Sequence, residues 1–145
     1  MAFSMTKSER EAYLAGVHVG ILSVAEESKG PFAVPVWYAY EPGGEVRVVT
    51  VRTTKKAKLI ERAGRFSLLA QTETPPYKYA SVEGPVVAME PADLERDLRP
   101  LCHRYLGKEQ GDGYFEVLAS MQGDRVLIRM RPERWLTADY AKASG

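Results

Sequence analysis

Residues 52–58, RTTKKAK, place four cations and two hydroxyl groups in one short stretch. A helix is predicted to begin near Thr53, and a helix N-terminus already carries about half a positive charge. Cations repel that charge and one another, and a bound anion would relieve the repulsion. Free helix amides, hydroxyl groups and ammonium groups form the kind of site that holds phosphate. The charge pattern taken alone slightly favours a solvated basic patch, so both interpretations stay open.

Residues 32–40, FAVPVWYAY, have a strand pattern in which both faces are apolar. Pro35 and Trp37 share one face while Val36 and Tyr38 share the other, because side chains alternate along a strand. Both faces should therefore be covered, one by the core and the other by a ligand or a partner chain. A central barrel strand is the alternative interpretation.

Residues 77–84 place polar side chains along a second strand. Tyr79, Ser81 and Glu83 occupy alternate positions and so project to one side. They could form a polar strip that faces a ligand, although a solvated strand face would show the same pattern.

The chain carries little acid–base or nucleophilic machinery. Cys102 and His103 point about 100° apart on a helix and do not make a catalytic pair. Two histidines and one cysteine are too few ligands for a zinc site. No phosphate loop, dinucleotide fingerprint or nucleophile elbow occurs in the sequence. This combination suits a protein whose cofactor does the chemistry.

Composition predicts one globular cytoplasmic domain over residues 1–145. The net charge of +1, from 20 basic and 19 acidic residues, argues against nucleic-acid binding. The single cysteine allows no internal disulfide, which fits a reducing compartment. Residues 1–10 lack the apolar core of a signal peptide, and the strongest apolar stretch is too short to span a membrane.

The pattern predicts a mainly β fold, a six-stranded antiparallel barrel with short helices at its rim. A capping box with Thr6 and Glu9 should open the first helix. A bulge or bend is expected at Gly84-Pro85. Strands are predicted at residues 17–24, 32–40, 45–51, 65–72, 77–89 and 125–131, helices at 7–15, 53–63, 91–106 and 111–121, and a tail after 131.

Four motifs occur in a set order: GPFAVPVWY at 30–38, TTKKAKLI at 53–60, YKYASVEG at 77–84 and RPERW at 131–135. The ordered set resembles the pyridoxamine 5'-phosphate oxidase-like split-barrel superfamily. It is most similar to the actinobacterial branch of flavin and deazaflavin oxidoreductases, whose members often use coenzyme F-420. The resemblance makes phosphate binding the favoured interpretation of residues 52–58. The extended C-terminal motif of pyridoxamine phosphate oxidases themselves is not visible, so that specific activity is not expected.

The resemblance implies a split β-barrel homodimer with two cofactor sites at the interface. The cofactor would be coenzyme F-420, which is favoured, or FMN. By the motifs, Lys56 would meet the phosphate, Pro35 to Trp37 would border the ring, and Trp135 would approach from the second chain. The full set of implied cofactor-binding residues is Pro35, Val36, Trp37, Arg52, Thr53, Thr54, Lys55, Lys56, Gln71, Tyr79, Ser81 and Trp135.

The implied activity is hydride transfer between the bound cofactor and a small organic acceptor. Tyr79 is a weak candidate for a proton donor. Two alternatives remain, a cofactor carrier without significant catalysis and a haem-handling split barrel. The second would need His18 or His103 as an axial ligand.

Overall fold

The computed structural model of the protein describes residues 2–144, and within that range the chain forms seven strands and four α-helices. No helix in that range is both long enough and apolar enough to cross a bilayer. The strands are β1 Gly20–Val24, β2 Phe32–Val36, β3 Val46–Val51, β4 Arg65–Gln71, β5 Lys78–Pro91, β6 Arg125–Met130 and β7 Arg134–Asp139, and the α-helices are α1 Lys7–Ala15, α2 Lys55–Ala63, α3 Arg99–Leu106 and α4 Lys108–Ser120.

The strands pair antiparallel throughout and follow the order β2-β1-β4-β5-β6-β3. β7 pairs with the first half of β5, and β6 pairs with the second half. The sheet therefore curls, and its concave side holds the main core. The predicted fold class, a mainly β antiparallel split barrel with helices at its rim, is confirmed. The predicted capping box of Thr6 and Glu9 at the start of α1 is also present.

β5 changes partners at Gly84, where the chain between β6 and β7 crosses it. A Cβ atom at Gly84 would lie 1.8 Å from the carbonyl oxygen of Arg131, so only glycine permits this crossing. The register of β5 against β6 then shifts between Val86 and Ala88. The predicted irregularity at Gly84-Pro85 is therefore confirmed.

The core has two parts. The larger lies inside the curled sheet, and the smaller lies between the convex face of β3 and β6 and the hairpin of α3 and α4. Val126, Ile128 and Met130, which alternate along β6, are all fully buried on its concave face. The smaller cluster consists of Leu98, Cys102 and Phe115, with Trp37, Val49, Leu94 and Leu118 against it.

Two predicted strands are shorter in the structure. β1 begins at Gly20 rather than at residue 17, and β2 ends at Val36 rather than at residue 40. The cause is Tyr105 of α3, whose hydroxyl donates to the His18 carbonyl at 2.6 Å and accepts from the Tyr38 amide at 3.1 Å. The Tyr105 hydroxyl thus makes hydrogen bonds to backbone groups that would otherwise pair in longer strands.

The region after residue 84 differs most from the prediction. β5 continues to Pro91, and a π-helical turn, Leu94–Leu98, precedes α3. Helix α4 begins at Lys108 rather than at residue 111. The predicted tail is the seventh strand, β7, in which Thr137 is buried and its hydroxyl accepts a hydrogen bond from the Met5 amide at 3.0 Å.

Helices α3 and α4 cross closely at Gly111. A Cβ atom there would lie 2.7 Å from the carbonyl oxygen of Cys102. Beside this contact, the carboxylate of Asp112 in α4 accepts hydrogen bonds from Arg99 at 2.8 Å and from His103, both in α3. Backbone contact and charge therefore hold the two helices together.

Gly111→Ala should destabilise the protein by about 1–3 kcal/mol, because overpacking forces the two backbones apart. Gly113→Ala is the matched control, since a Cβ atom there meets nothing within 4 Å. It lies in the same helix and should be neutral or stabilising by up to about 1 kcal/mol. Urea unfolding of both variants measures the difference, and equal midpoints would contradict the close crossing.

Candidate cofactor-binding site

Thr54 determines where the basic helix α2 begins. Its hydroxyl donates to the Val51 carbonyl at 2.8 Å and accepts from the Ala57 amide at 3.3 Å. The helix therefore starts at Lys55, two residues after the predicted position. The amides of Lys55 and Lys56 lie in the first turn, where no intrahelical acceptor exists. These amides and the helix dipole favour an anion at this end.

Two of the four cations already have carboxylate partners from distant parts of the chain. Arg52 lies 2.9 Å from Asp124 and 4.0 Å from Glu61. Lys55 lies 3.1 Å from Glu26. These carboxylates relieve part of the repulsion that the sequence predicts.

Lys56 is the cation in the least favourable surroundings. Among residues 2–144, no carboxylate lies within 4.0 Å of the ammonium group of Lys56 or of Lys58. Lys58 is exposed to water, whereas Lys56 is half-buried. Burial lowers the pKa of Lys56 below its ordinary value of 10.5. An anion beside Lys56 would supply the missing counter-charge.

The convex face of the sheet carries an apolar row that is half-buried in its middle and exposed at both ends. The row crosses five strands, and four of its five residues are apolar. Leu136 at one end is 58% exposed, and Pro35 at the other end is also exposed. A contiguous apolar surface of this kind marks a contact surface. In order across the sheet, the row is Pro35, Ile21, Leu69, Ser81 and Leu136.

Four of the predicted site residues share this convex face. Pro35 and Ser81 belong to the apolar row, and Gln71 pairs with Tyr79 in the adjacent row. The start of α2 lies near the beginning of β2, because the Lys55 ammonium is 5.2 Å from the ring of Phe32, which packs against the core. Pro35 follows three residues later, roughly 10 Å along the strand and on the opposite face. A ligand with an anionic end and a flat apolar end would have to extend past the edge strand β2 to contact both features.

Three predicted residues point elsewhere in this chain. Val36 is buried in the core, so only its backbone faces outward. Trp135 lies on the concave side, with the Arg10 guanidinium 4.8 Å from its ring centroid. Trp37 stacks on Tyr105 at 4.8 Å with an interplanar angle of 5°. A role for Trp135 in the site of a second chain therefore remains a prediction.

The histidines are engaged in structural hydrogen bonds. His18 Nε2 donates to the Tyr13 carbonyl at 3.0 Å, and burial lowers the pKa of His18. His103 Nε2 lies 2.5 Å from the Asp112 carboxylate. Within residues 2–144, there is no cluster of three or more histidine, cysteine, aspartate or glutamate side chains that could hold a metal ion. The chemistry of the basic helix and the apolar row is that of binding and orienting a ligand. None of the described hydrogen bonds of these residues pairs a nucleophile with a base.

Sequence reasoning missed two parts of the site. The apolar members Ile21, Leu69 and Leu136 were not singled out, because the row exists only once the register of five strands is known. The carboxylates of Glu26 and Asp124 were missed because they come from distant turns. The one available signal was the alternation of side chains along β1 and β4. Alternation shows which residues of a strand share a face, but it does not show which residues of other strands lie beside them.

This architecture and the surface features defined by its register place the protein in the pyridoxamine 5'-phosphate oxidase-like split-barrel class. The sequence matches the family described as "Pyridoxamine 5'-phosphate oxidase" over residues 6–139. The chain belongs to this family. A search of curated proteins finds no significant match.

Solved structures with the same fold cover almost the whole chain. A conserved hypothetical protein from Mycobacterium tuberculosis has a TM-score of 0.79 and 21% identity, over 99% of this chain and 91% of that one. An F-420 reductase has a TM-score of 0.69 and 21% identity, over 87% and 94%. An FAD-binding protein from Mesorhizobium loti has a TM-score of 0.60 and 22% identity, over 92% and 94%.

Proposed function

We propose that this protein binds a deazaflavin, coenzyme F-420, or else FMN, and passes hydride between it and a small organic acceptor. The observation that carries the proposal is Lys56, a half-buried cation without a carboxylate partner in the described chain, in the first turn of the basic helix α2. The family and the similarity to an F-420 reductase and an FAD-binding protein support the same reading.

The protein's part in the reaction would be binding and orientation. The Lys56 ammonium and the amides that open α2 would hold the cofactor phosphate, with Thr53 as the exposed hydroxyl nearby. Pro35 and Ser81 would lie against the ring and fix its position. The cofactor supplies the hydride chemistry. Tyr79, on the same face, stays the candidate for holding a proton near the acceptor.

A homodimer would complete the ring pocket. Leu136 and Pro35 are exposed at the two ends of the apolar row in a single chain. A second copy packed on this face would bury the row and exclude water from the ring. A barrel this small fills its interior with side chains, so the ring has no place inside one chain.

Parallel titration of the purified protein with coenzyme F-420 and with FMN tests the cofactor. We expect saturable binding of at least one, with coenzyme F-420 the tighter, because the basic helix suits its longer anionic tail. Fluorescence of either cofactor reports binding. Failure of both to bind would overturn the proposal.

The reduced, bound cofactor should be oxidised by some members of a panel of quinones, enones and tetrapyrroles. Absorbance of the cofactor follows the reaction under anaerobic conditions. Tight binding with no oxidation by any acceptor would instead favour a carrier protein. A Soret band on haem addition that disappears on replacement of His18 or His103 would favour the haem alternative.

Lys56→Gln should weaken cofactor binding by about tenfold or more, because it removes a charge-assisted contact from a partly buried site. Lys58→Gln removes the same charge from the same helix at an exposed position and should change the affinity by less than about twofold. Thermal unfolding should show both variants folded. Equal dissociation constants would remove Lys56 from the site.

Leu136→Glu should convert the dimer to a monomer, since a charge would be buried in the apolar row. Val117→Glu is the control, because Val117 is exposed to a similar extent, 55%, on helix α4. Light scattering after gel filtration gives the mass. A monomeric wild type, or a Leu136→Glu dimer, would contradict the proposed interface.

A further inference from the structure

A cavity of about 250 Å³ lies between α3, with its preceding π-helical turn, and the convex face of β3 and β6. Its apolar wall includes Val49, Leu101 and Leu127, and its basic rim includes Arg47 and Arg104. None of the twelve residues predicted for the cofactor site lines it. The cavity is therefore a separate feature of the fold.

Arg104 brings a partly buried positive charge to this cavity without a counter-ion. One guanidinium nitrogen donates to the carbonyl oxygens of Ala15 at 3.1 Å and Gly16 at 2.7 Å. Within residues 2–144, no carboxylate lies within 4.0 Å of Arg104. Carbonyl groups orient the guanidinium but do not neutralise it. A partly buried cation in this state favours an anion nearby.

Arg47 is a second cation on the rim, and it makes no close ion pair. Its nearest carboxylate, Glu41, lies 3.7 Å away and is 81% exposed, so the pair is loose. Arg96 differs, because it binds the Asp97 carboxylate with two hydrogen bonds of 3.0 Å. Asp97 also lines the cavity and acts on Arg47 electrostatically, so the lining carries three arginines against two carboxylates, and Arg104 is the cation farthest from them.

We propose that this cavity binds a small organic monocarboxylate with an apolar body. The carboxylate would meet the guanidinium groups of Arg47 and Arg104, which suit that group by shape and charge. The apolar body would rest on Val49, Leu101 and Leu127. The cavity is smaller than the roughly 300–1,000 Å³ of sites for drug-sized ligands, so the body is limited to about one ring or a short chain.

Benzoate is the probe, and benzamide is its neutral counterpart of the same shape. Titration of the full chain, followed by calorimetry and by amide NMR shifts, should show one benzoate per chain with a dissociation constant of about 1 mM or below. This affinity is within reach of a ligand of about nine non-hydrogen atoms. Benzamide should bind at least about tenfold more weakly, because it lacks the charge. No saturable benzoate binding, or equal binding of benzamide, would overturn the proposal.

Variants then locate the bound benzoate. Arg47→Gln should weaken binding about tenfold, and Ala39→Leu should block it by filling the cavity wall. Arg131→Gln removes an equal charge from an exposed position outside the cavity and should have no effect. Loss of benzoate binding in Lys56→Gln, with Arg47→Gln unchanged, would place the probe in the cofactor site and contradict the proposal. Arg47→Gln decides the matter alone if Ala39→Leu fails to fold.

Discussion

The whole barrel depends on one close backbone crossing, at Gly84. Because no side chain stands there, the segment carrying Arg131 can pass over β5 and deliver β7 to one half of that strand after β6 has paired with the other half. The two halves of β5 then have different outer surroundings. The first half presents Tyr79 and Ser81 on an open convex face, whereas α3 and α4 cover the convex face of the sheet around the second half. The candidate cofactor surface lies on the open half, and the cavity beside Arg47 and Arg104 lies under the helices on the covered half.

The fold class could be predicted from the sequence because each strand of the main sheet either alternates apolar and polar residues or is apolar throughout. The clearest example is β6, in which Val126, Ile128 and Met130 alternate along the strand and are all buried. The errors have specific causes. β7 was missed because its inward residue Thr137 is polar, and its burial depends on a partner, the Met5 amide, at the far end of the chain. The ends of β1 and β2 were overestimated because a tyrosine from α3 takes their hydrogen bonds, and no local pattern records that.

For the candidate site, the sequence located the cations but not their differences. Arg52, Lys55, Lys56 and Lys58 look alike in a basic stretch. They become distinct only when Asp124, Glu61 and Glu26 are brought beside two of them and partial burial isolates a third. Long-range contacts of this type follow from the register of the sheet. The apolar row has the same origin, because its five members are neighbours only across strands.

Two consecutive amides near the end of β2 are held by different parts of the molecule. The Tyr38 amide donates to the Tyr105 hydroxyl of α3, whereas the Ala39 amide donates to the Arg47 carbonyl in the sheet. Exchange of the first amide with deuterium requires α3 to move away, and exchange of the second requires the edge of the sheet to open. The ratio of their exchange rates, corrected for intrinsic rates, therefore compares two local opening free energies within one dipeptide. It measures how firmly the helical hairpin is attached to the barrel.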